Sequence, residues 1–234
     1  MSYDSAALLS ALARFARLLP ADYDVATALD ELIVAVIEVL GLSGAGVSLV
    51  SEGRLRFVTA PSEQIAEIER VQENTRQGPC IEAFSLDQVV AVPDLSEYVE
   101  KWPEYTAAAA RRGIVAAAGV PMRLGEHKIG VTNLYDERVR DWPESEREAA
   151  RVLADMATGY VVNAGKWRQQ QQLTEQLDNA LKSRIVIEQA KGVIATVRGI
   201  GTEEAFELIR RYARSHQVRL HAVAHAIVEA GLRI

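Results

Sequence analysis

Basic side chains recur at helical spacing near the C-terminus of this 234-residue chain. Arg184 and Lys191 are seven residues apart, and Arg210 and Arg214 are four apart. Residues at these spacings share one face of an α-helix, so each pair would present two positive charges together. Such charges neutralise phosphates, and guanidinium groups also stack on unpaired bases. The pattern indicates a surface for a polyanion; the alternative is an ordinary solvated helix with ion pairs of its own.

The distribution of charge supports a polyanion at the same end. The formal net charge is −6, but residues 181–234 contain nine Lys or Arg and five Asp or Glu. Residues 1–180 contain 17 basic and 27 acidic residues. A basic tail behind an acidic body places any polyanion at the tail.

Other reactive residue types give weaker indications. Cys80 is the only cysteine, which excludes a disulfide framework and a cysteine-based metal cluster, and a lone cysteine is more often a small buried residue than a redox centre. His221 and His225 are four apart with His216 nearby, but the Glu that a zincin helix places between its histidines is missing. No P-loop, nucleophile elbow or dinucleotide-binding motif is present. We therefore expect neither a metal site nor an enzyme.

The N-terminal part of the chain has apolar residues at helical spacing. Apolar residues predict a helix over residues 8–19 that ends at Pro20, and a second over 29–40 that ends at Gly41. Ser62 can cap a third helix that runs to about Thr75, and an Ala-rich helix follows Trp102-Pro103. The early apolar stretch has the charges and helical spacing of a folded segment, not those of a signal peptide or a membrane span, so we expect a cytoplasmic protein.

Strand patterns separate these helices. The predicted strands alternate in polarity or are continuously apolar, and they cover residues 46–50, 55–59, 89–92, 114–122 and 127–135. Helices that flank a mostly antiparallel sheet make an α+β sensor-like domain.

A long helix is predicted to follow the last strand. Ser145 with Glu148 suggests a capping box at its start, and no clear breaker appears before about Val197. Apolar residues fit heptad positions in its middle, with polar exceptions at Gln170 and Arg184; they are Leu173, Leu177, Ala180 and Ile187. We favour a connector that contributes to a dimer; the alternative is a helix packed on its own domain. A Gly-rich turn at residues 199–201 separates the long helix from two further predicted short helices, each with one apolar face.

The tail resembles an ANTAR domain over about its last 55 residues. Three elements recur in order: Ile187 with Ala190-Lys191-Gly192, Ala205-Phe206 with Ile209-Arg210, and Val223-Ala224. The resemblance implies binding to paired stem-loops in nascent RNA, which prevents a terminator hairpin from forming. The candidate RNA contacts are polar or small residues of these helices and their turns: Arg184, Gln189, Lys191, Gly192, Arg210, Arg211, Arg214 and Arg219.

The front of the chain resembles a GAF domain over about residues 24–163, in the version that precedes ANTAR in actinobacterial proteins. The residues that carry this resemblance form five short motifs: 78–83, 92–95, Trp102-Pro103, 121–124 and 130–135. GAF domains sense small molecules, which makes Cys80, Asn133 and Tyr135 candidate ligand-pocket residues. The resemblance leaves the ligand unnamed.

These observations predict three segments: a GAF domain over 1–165, a helical connector over 166–182, and an all-α three-helix ANTAR bundle over 183–234. The predicted protein is a homodimeric, signal-responsive regulator that binds structured RNA and acts by transcription antitermination, with a small-molecule effector and no membrane partner. Two alternatives stay open: a DNA-binding transcriptional regulator, and a ligand-sensing protein-interaction module.

Overall fold

A computed structural model describes residues 3–18 and 24–234 of the chain, without the side chains of residues 18, 167–175, 178 and 180. The predicted helix stop at Pro20 and the heptad residues Gln170, Leu173 and Ala180 lie outside this description. The chain divides into two compact units, Met1–Lys166 and Trp167–Ile234.

Helices account for most of the chain. Their bounds are α1 Ser5–Leu18, α2 Val25–Leu40, α3 Glu63–Thr75, α4 Pro79–Leu86, α5 Pro103–Arg111, α6 Glu144–Arg198, α7 Thr202–Ser215 and α8 Leu220–Ala230. The predicted long helix is thus confirmed as one element of 55 residues. Over the described part of the chain, none of the helices combines the length and apolarity that a bilayer crossing needs.

A five-stranded antiparallel sheet forms the centre of the N-terminal unit. The strands are β1 Gly44–Ser51, β2 Arg54–Thr59, β3 Val90–Val92, β4 Ala116–Leu124 and β5 His127–Asp136. Their order is β2-β1-β5-β4-β3, so β5 occupies the middle. This arrangement confirms the predicted α+β fold.

Helices cover both faces of the sheet, because its strands alternate their side chains between two cores. Leu134 of β5 points to one core, where it joins Phe15 of α1, Leu32 of α2 and Leu153 of α6. Its neighbour Tyr135 belongs to the opposite core, which α3 and α5 complete.

Local capping explains why the early helices begin and end where they do. The Asp24 carboxylate accepts a hydrogen bond from the Thr27 amide at 2.8 Å and starts α2. Gly41, with φ of 62°, ends it in the left-handed conformation. The Ser62 hydroxyl accepts from the Ile65 amide at 3.4 Å and starts α3 as predicted.

Two local features differ from the prediction. Pro79 starts α4, a helix absent from the predicted elements, since proline is well suited to the first turn of a helix. The capping box at Ser145 is wrong: α6 begins at Glu144, so Ser145 lies inside the first turn. The Pro143 carbonyl instead accepts the first hydrogen bond, from the Glu146 amide at 2.9 Å.

A largely buried arginine connects the end of the sheet to the start of α6. Arg140 contacts the Asp136 carboxylate at 2.7 Å and the Glu146 carboxylate at 2.8 Å. It also donates to the Leu40 carbonyl at the end of α2, at 2.6 Å. Its guanidinium carbon lies 5.2 Å from the centre of the Trp142 ring. One side chain thus links three elements of the domain.

The C-terminal unit has its own small core. The end of α6 contributes Ala190 and Ile194, and α7 contributes Ile209. Val223 and Ile227 of α8 complete it. The predicted helical tail is confirmed, and its buried alanines, Ala190 among them, allow the helices to pack closely.

Candidate nucleic-acid surface and buried sensor cluster

A buried carboxylate, Glu69, lies between α3 and the sheet. Asn133 donates its side-chain amide to Glu69 Oε2 at 2.8 Å, and the Tyr135 hydroxyl donates to Oε1 at 2.9 Å. The Ser48 hydroxyl is a weaker donor at 3.5 Å. Gln72, one turn along α3, donates to the Tyr135 hydroxyl at 3.0 Å. These contacts form one connected polar network under the sheet.

The backbone next to this network requires glycine at two points. A Cβ added at Gly46 would lie under 3.0 Å from the Glu69 carboxylate, and one added at Gly78 would overlap Gln72 in the same way. Gly78 also has φ of 116°, which residues with side chains rarely adopt. The side-chain oxygen Oε1 of Gln72 accepts a hydrogen bond from the backbone amide of Cys80 at 3.1 Å. The polar network is therefore packed directly against the backbone at Gly46 and at Gly78.

Burial dominates the electrostatics of this cluster. Desolvation raises the pKa of Glu69 to about 7, although the hydrogen bonds from Tyr135, Asn133 and Ser48 oppose it. Burial also raises the pKa of the Cys80 thiol, and the nearby Glu69 charge adds to that effect. A thiol in this state is a poor nucleophile. The cluster can hold or release a proton at Glu69, but it does not activate Cys80.

The structure brings the three predicted pocket residues together. Cys80, Asn133 and Tyr135 are each buried within this cluster. Sequence reasoning missed Glu69 and Gln72, which occupy the space between them. Their spacing was a usable indication, because Glu69 and Gln72 share the buried face of α3 with Ile65 and Ile68.

In the C-terminal unit, Lys191 is held by its neighbours. Only 11% of its side chain is exposed, and its ammonium lies 3.1 Å from Glu188 and 3.7 Å from Glu203. The same group lies 5.5 Å from the centre of the Phe206 ring. Phe206 is half-buried beneath this lysine.

The other predicted contacts are exposed. Arg210 pairs with Glu207 at 3.3 Å, which leaves it partly neutralised. Four further arginines are exposed and form no ion pair with a residue that the structure describes: Arg184, Arg211, Arg214 and Arg219. Gln189 and Gly192 are exposed on α6, and a Cβ at Gly192 would meet nothing within 4 Å. Close helix packing therefore does not account for Gly192.

The segment from residue 208 to residue 228, which comprises the second half of α7, the turn and most of α8, is strongly basic. Residues 208–228 contain four arginines and three histidines and lack any Asp or Glu. Tyr212 and His216 stack there, with ring centres 4.0 Å apart and planes 20° apart. Gln217, with φ of 54°, turns the chain towards Arg219, which precedes α8. Sequence reasoning named the arginines but missed the stacked rings and the length of the acid-free segment.

The histidines of the C-terminal unit are not grouped as metal ligands in the described part of the chain. His225 contacts the Glu229 carboxylate at 3.1 Å. Within the described residues, no group of three His, Cys, Asp or Glu side chains is placed to hold a metal ion. The arrangement offers cationic and aromatic chemistry for a ligand.

Two family models match the chain in order. The model of the GAF domain matches residues 24–160. The model of the ANTAR domain matches residues 175–228. A search of curated proteins finds no match.

Solved structures similar to this chain have low sequence identity, so they show the fold alone. The GAF domain of a phosphoenolpyruvate-protein phosphotransferase from Coxiella burnetii is 11% identical, with a TM-score of 0.55, and covers 71% of this chain and 99% of its own. The GAF domain of an Acinetobacter phosphoenolpyruvate-protein phosphotransferase is 15% identical, with a TM-score of 0.54, covering 68% and 94%. Free methionine-R-sulfoxide reductase from Neisseria meningitidis is 16% identical, with a TM-score of 0.51, covering 70% and 94%.

Proposed function

Because the chain belongs to the GAF domain family and carries an ANTAR domain behind it, we propose that it is a signal-responsive regulator that binds paired RNA stem-loops and acts by transcription antitermination. ANTAR is an RNA-binding antitermination domain, and GAF is a ligand-sensing domain. Both are regulatory domains rather than catalytic ones. We propose a cytoplasmic location, since nascent transcripts are available there.

The acid-free segment of residues 208–228 is the observation that best supports RNA binding. Arg211, Arg214 and Arg219 are exposed within it without ion-pair partners among the described residues. Free guanidinium groups bind phosphates without first breaking a protein ion pair, so their full charge contributes to affinity. A single-stranded loop base can stack on the Tyr212–His216 pair, as RNA-binding modules commonly use aromatic rings.

The remaining contacts are proposed to contribute less or to position the RNA. Arg184, Gln189 and Gly192 form the exposed part of α6 next to the bundle. Lys191 and Arg210 stay in the proposed set, but each already contacts a glutamate. Removing either should therefore change the affinity less than removing an unpaired arginine.

We predict that single substitutions of the unpaired arginines will lower the salt dependence of RNA binding. Arg211→Gln, Arg214→Gln and Arg219→Gln should each reduce the slope of log affinity against log salt by roughly 0.7 to 0.9, because one phosphate contact is lost. The measurement is fluorescence anisotropy of a labelled tandem stem-loop RNA between roughly 50 and 200 mM salt. Lys191→Gln should give a smaller change.

Arg70→Gln provides the matched control, since it removes one surface arginine from the N-terminal unit, where Arg70 pairs with Glu63. Its slope should equal that of the wild type. A scrambled RNA of equal length and a DNA duplex serve as competitors. If the stem-loop RNA shows no advantage over the scrambled one, antitermination is contradicted; if duplex DNA competes best, the protein is a DNA-binding regulator instead.

We also propose that the protein is a homodimer through the middle of α6. Leu177, Leu181 and Ile185 are spaced by four residues on this helix, and their exposed fractions are 62%, 57% and 48%. Residues four apart form a ridge along a helix, and such a ridge can pack into the grooves of a second helix, which would remove three large side chains from water. A second copy of the chain presents the same ridge and can satisfy it symmetrically.

Introducing charge into this ridge should dissociate the dimer. We expect Leu181→Glu/Ile185→Glu to raise the dimer dissociation constant by more than about tenfold, because each buried side chain contributes roughly 1.5–3 kcal/mol. Sedimentation velocity over a concentration series measures this. Leu86→Glu is the control, because Leu86 is an equally exposed leucine of the N-terminal unit. A wild-type protein that is monomeric throughout the series would refute the dimer.

For the sensory half, we propose that residues 1–165 form the effector-binding domain, 166–182 the connector and 183–234 the RNA-binding domain. Cys80, Asn133 and Tyr135 remain proposed ligand-pocket residues. In the present conformation, Glu69 and Gln72 fill the space among them, so an effector that binds there must first displace these two side chains.

A further inference from the structure

A polar cleft of about 410 Å³ lies at the edge of the sheet in the N-terminal unit, away from the buried cluster around Glu69. The short strand β3 pairs with β4 only over residues 117–119, so the outer part of β4 has no neighbouring strand on that side among the residues that the structure describes. The segment after α4 and the first turns of α6 complete the walls. Clefts of roughly 300–1,000 Å³ are large enough to enclose a small molecule.

The cleft is lined by charges of both signs. Arg123, Arg147 and Arg151 contribute three guanidinium groups, and Asp87 and Asp155 contribute two carboxylates. Only one pair of these five residues is in ion-pair contact in the described structure, Arg123 with Asp87 at 3.3 Å. Arg147 and Arg151 both contact Glu144 at the start of α6, with Arg151 at 3.4 Å. The guanidinium groups of α6 thus remain close to the cleft without an ion-pair partner across it.

Two residues that line the cleft leave hydrogen-bonding groups unsatisfied. Asp87 Oδ1 and Arg147 Nε are buried atoms without a hydrogen-bond partner among the described residues. One is an acceptor and the other a donor, and because both atoms are closed to solvent, each costs free energy in this conformation. Asp155 forms no ion pair with a described residue, and burial raises its pKa despite the charges of Arg123 and Arg151.

The mixture of positive and negative side chains that line the cleft restricts the chemistry of a ligand. A purely anionic molecule would satisfy the arginines but would bring negative charge close to two carboxylates. A purely cationic molecule would meet three guanidinium groups. A small zwitterion avoids both penalties, because a carboxylate binds a guanidinium fork and an ammonium group donates to carboxylates.

We propose that this cleft binds a free α-amino acid, whose carboxylate contacts Arg147 and Arg151 and whose ammonium group contacts Asp87 and Asp155. The bound molecule would join the segment after α4 to the first turns of α6. The cleft would be a second ligand site of the sensory domain, separate from the proposed pocket around Cys80. It rests on the proposed function only for its regulatory meaning, since binding itself is measured without RNA.

The test is isothermal titration calorimetry of the full chain with each of the twenty amino acids, preceded by thermal-shift screening. At least one amino acid should bind with a stoichiometry of one per chain. Asp155→Asn and Arg151→Gln should each weaken that binding by about tenfold or more, since each removes one charge-assisted hydrogen bond. Arg56→Gln is the control, because Arg56 lines a different cleft beside α3.

Two analogues test whether the ligand must carry both the ammonium group and the carboxylate. The N-acetylated and the decarboxylated forms of the bound amino acid should both lose about tenfold or more in affinity, for the same reason. If the N-acetylated form or inorganic phosphate binds as well as the amino acid, the cleft is an anion site and the proposal is wrong. It is equally wrong if no amino acid binds the wild type, or if neither variant alters binding while circular dichroism shows both folded. Loss of RNA binding alone would leave these results unchanged, so the two proposals fail separately.

Discussion

Replacing Arg140 with methionine should lower the free energy of unfolding of the N-terminal unit by about 3–5 kcal/mol. The guanidinium group is only 14% exposed and contacts two carboxylates, Asp136 and Glu146, that are almost fully buried. Burial alone would raise the pKa of Asp136, but hydrogen bonds from Arg140 and Arg138 hold it below its ordinary value. Without Arg140, two buried negative charges would lose the cation that compensates them.

Urea denaturation followed by tryptophan fluorescence measures this loss, because Trp102 and Trp142 are buried in the N-terminal unit. Arg138→Met is the matched control. Arg138 contacts the same Asp136 carboxylate at 3.3 Å but is 75% exposed, so its removal should cost less than about 1 kcal/mol. Adding Asp136→Asn to Arg140→Met should recover part of the stability. Equal effects of the two arginine substitutions would show that burial of the ion pair is unimportant.

The second large effect concerns pH. Burial raises the pKa of Glu69 from its ordinary value of about 4.5 to about 7, so the folded state keeps a proton that the unfolded chain releases. The stabilisation is fully present below the unfolded pKa and is lost as the pH rises through the folded one. Between about pH 5 and pH 7 the free energy of unfolding should fall by roughly 1.4 kcal/mol per pH unit, and by about 3 kcal/mol in total up to pH 8.

Glu69→Gln removes the titration while keeping the shape of the side chain. The groups that face it are Ser48 of β1, Asn133 and Tyr135 of β5, and Gln72 of α3, with the Cys80 thiol and the Tyr105 hydroxyl close enough to sense its charge. An amide can still accept from Asn133 or Tyr135. Urea denaturation at each pH gives the free energy of unfolding of the wild type and of the variant. The difference between the two values removes the contribution of all other titrating groups. A difference that does not change between pH 5 and pH 8 would falsify the protonated state of Glu69.

Much of the fold could be predicted because its determinants are local. Gly41 ends α2 and Ser62 caps α3 through contacts within one turn, and the strand alternation required by a two-sided sheet is visible in the chain. The start of α6 was harder. Pro143 and Ser145 both suit a helix N-terminus, and the choice between them depends on the tertiary contacts of Arg140 and Glu146.

The site was predicted less completely, because its important contacts join residues far apart in the chain. Cys80, Asn133 and Tyr135 were identified through the GAF resemblance, but a charged residue on the apolar face of α3 gives no sign from sequence that it will meet β5. Lys191 shows the converse. Its type and spacing suit a phosphate contact, and only the packing of α7 against α6 shows that Glu203 and Phe206 hold it.

The close approach of Glu69 to Gly46 also restricts how this domain can diverge. Any side chain at position 46 would occupy the space that the carboxylate needs, so the effect of a substitution there depends on the residue at position 69. A chain that first replaced Glu69 with a shorter residue could then accept alanine at position 46, whereas the reverse order would pass through a clashing intermediate. The two positions therefore have a preferred order of change, and a lineage that has completed both steps could return to the buried acid only by restoring the glycine first.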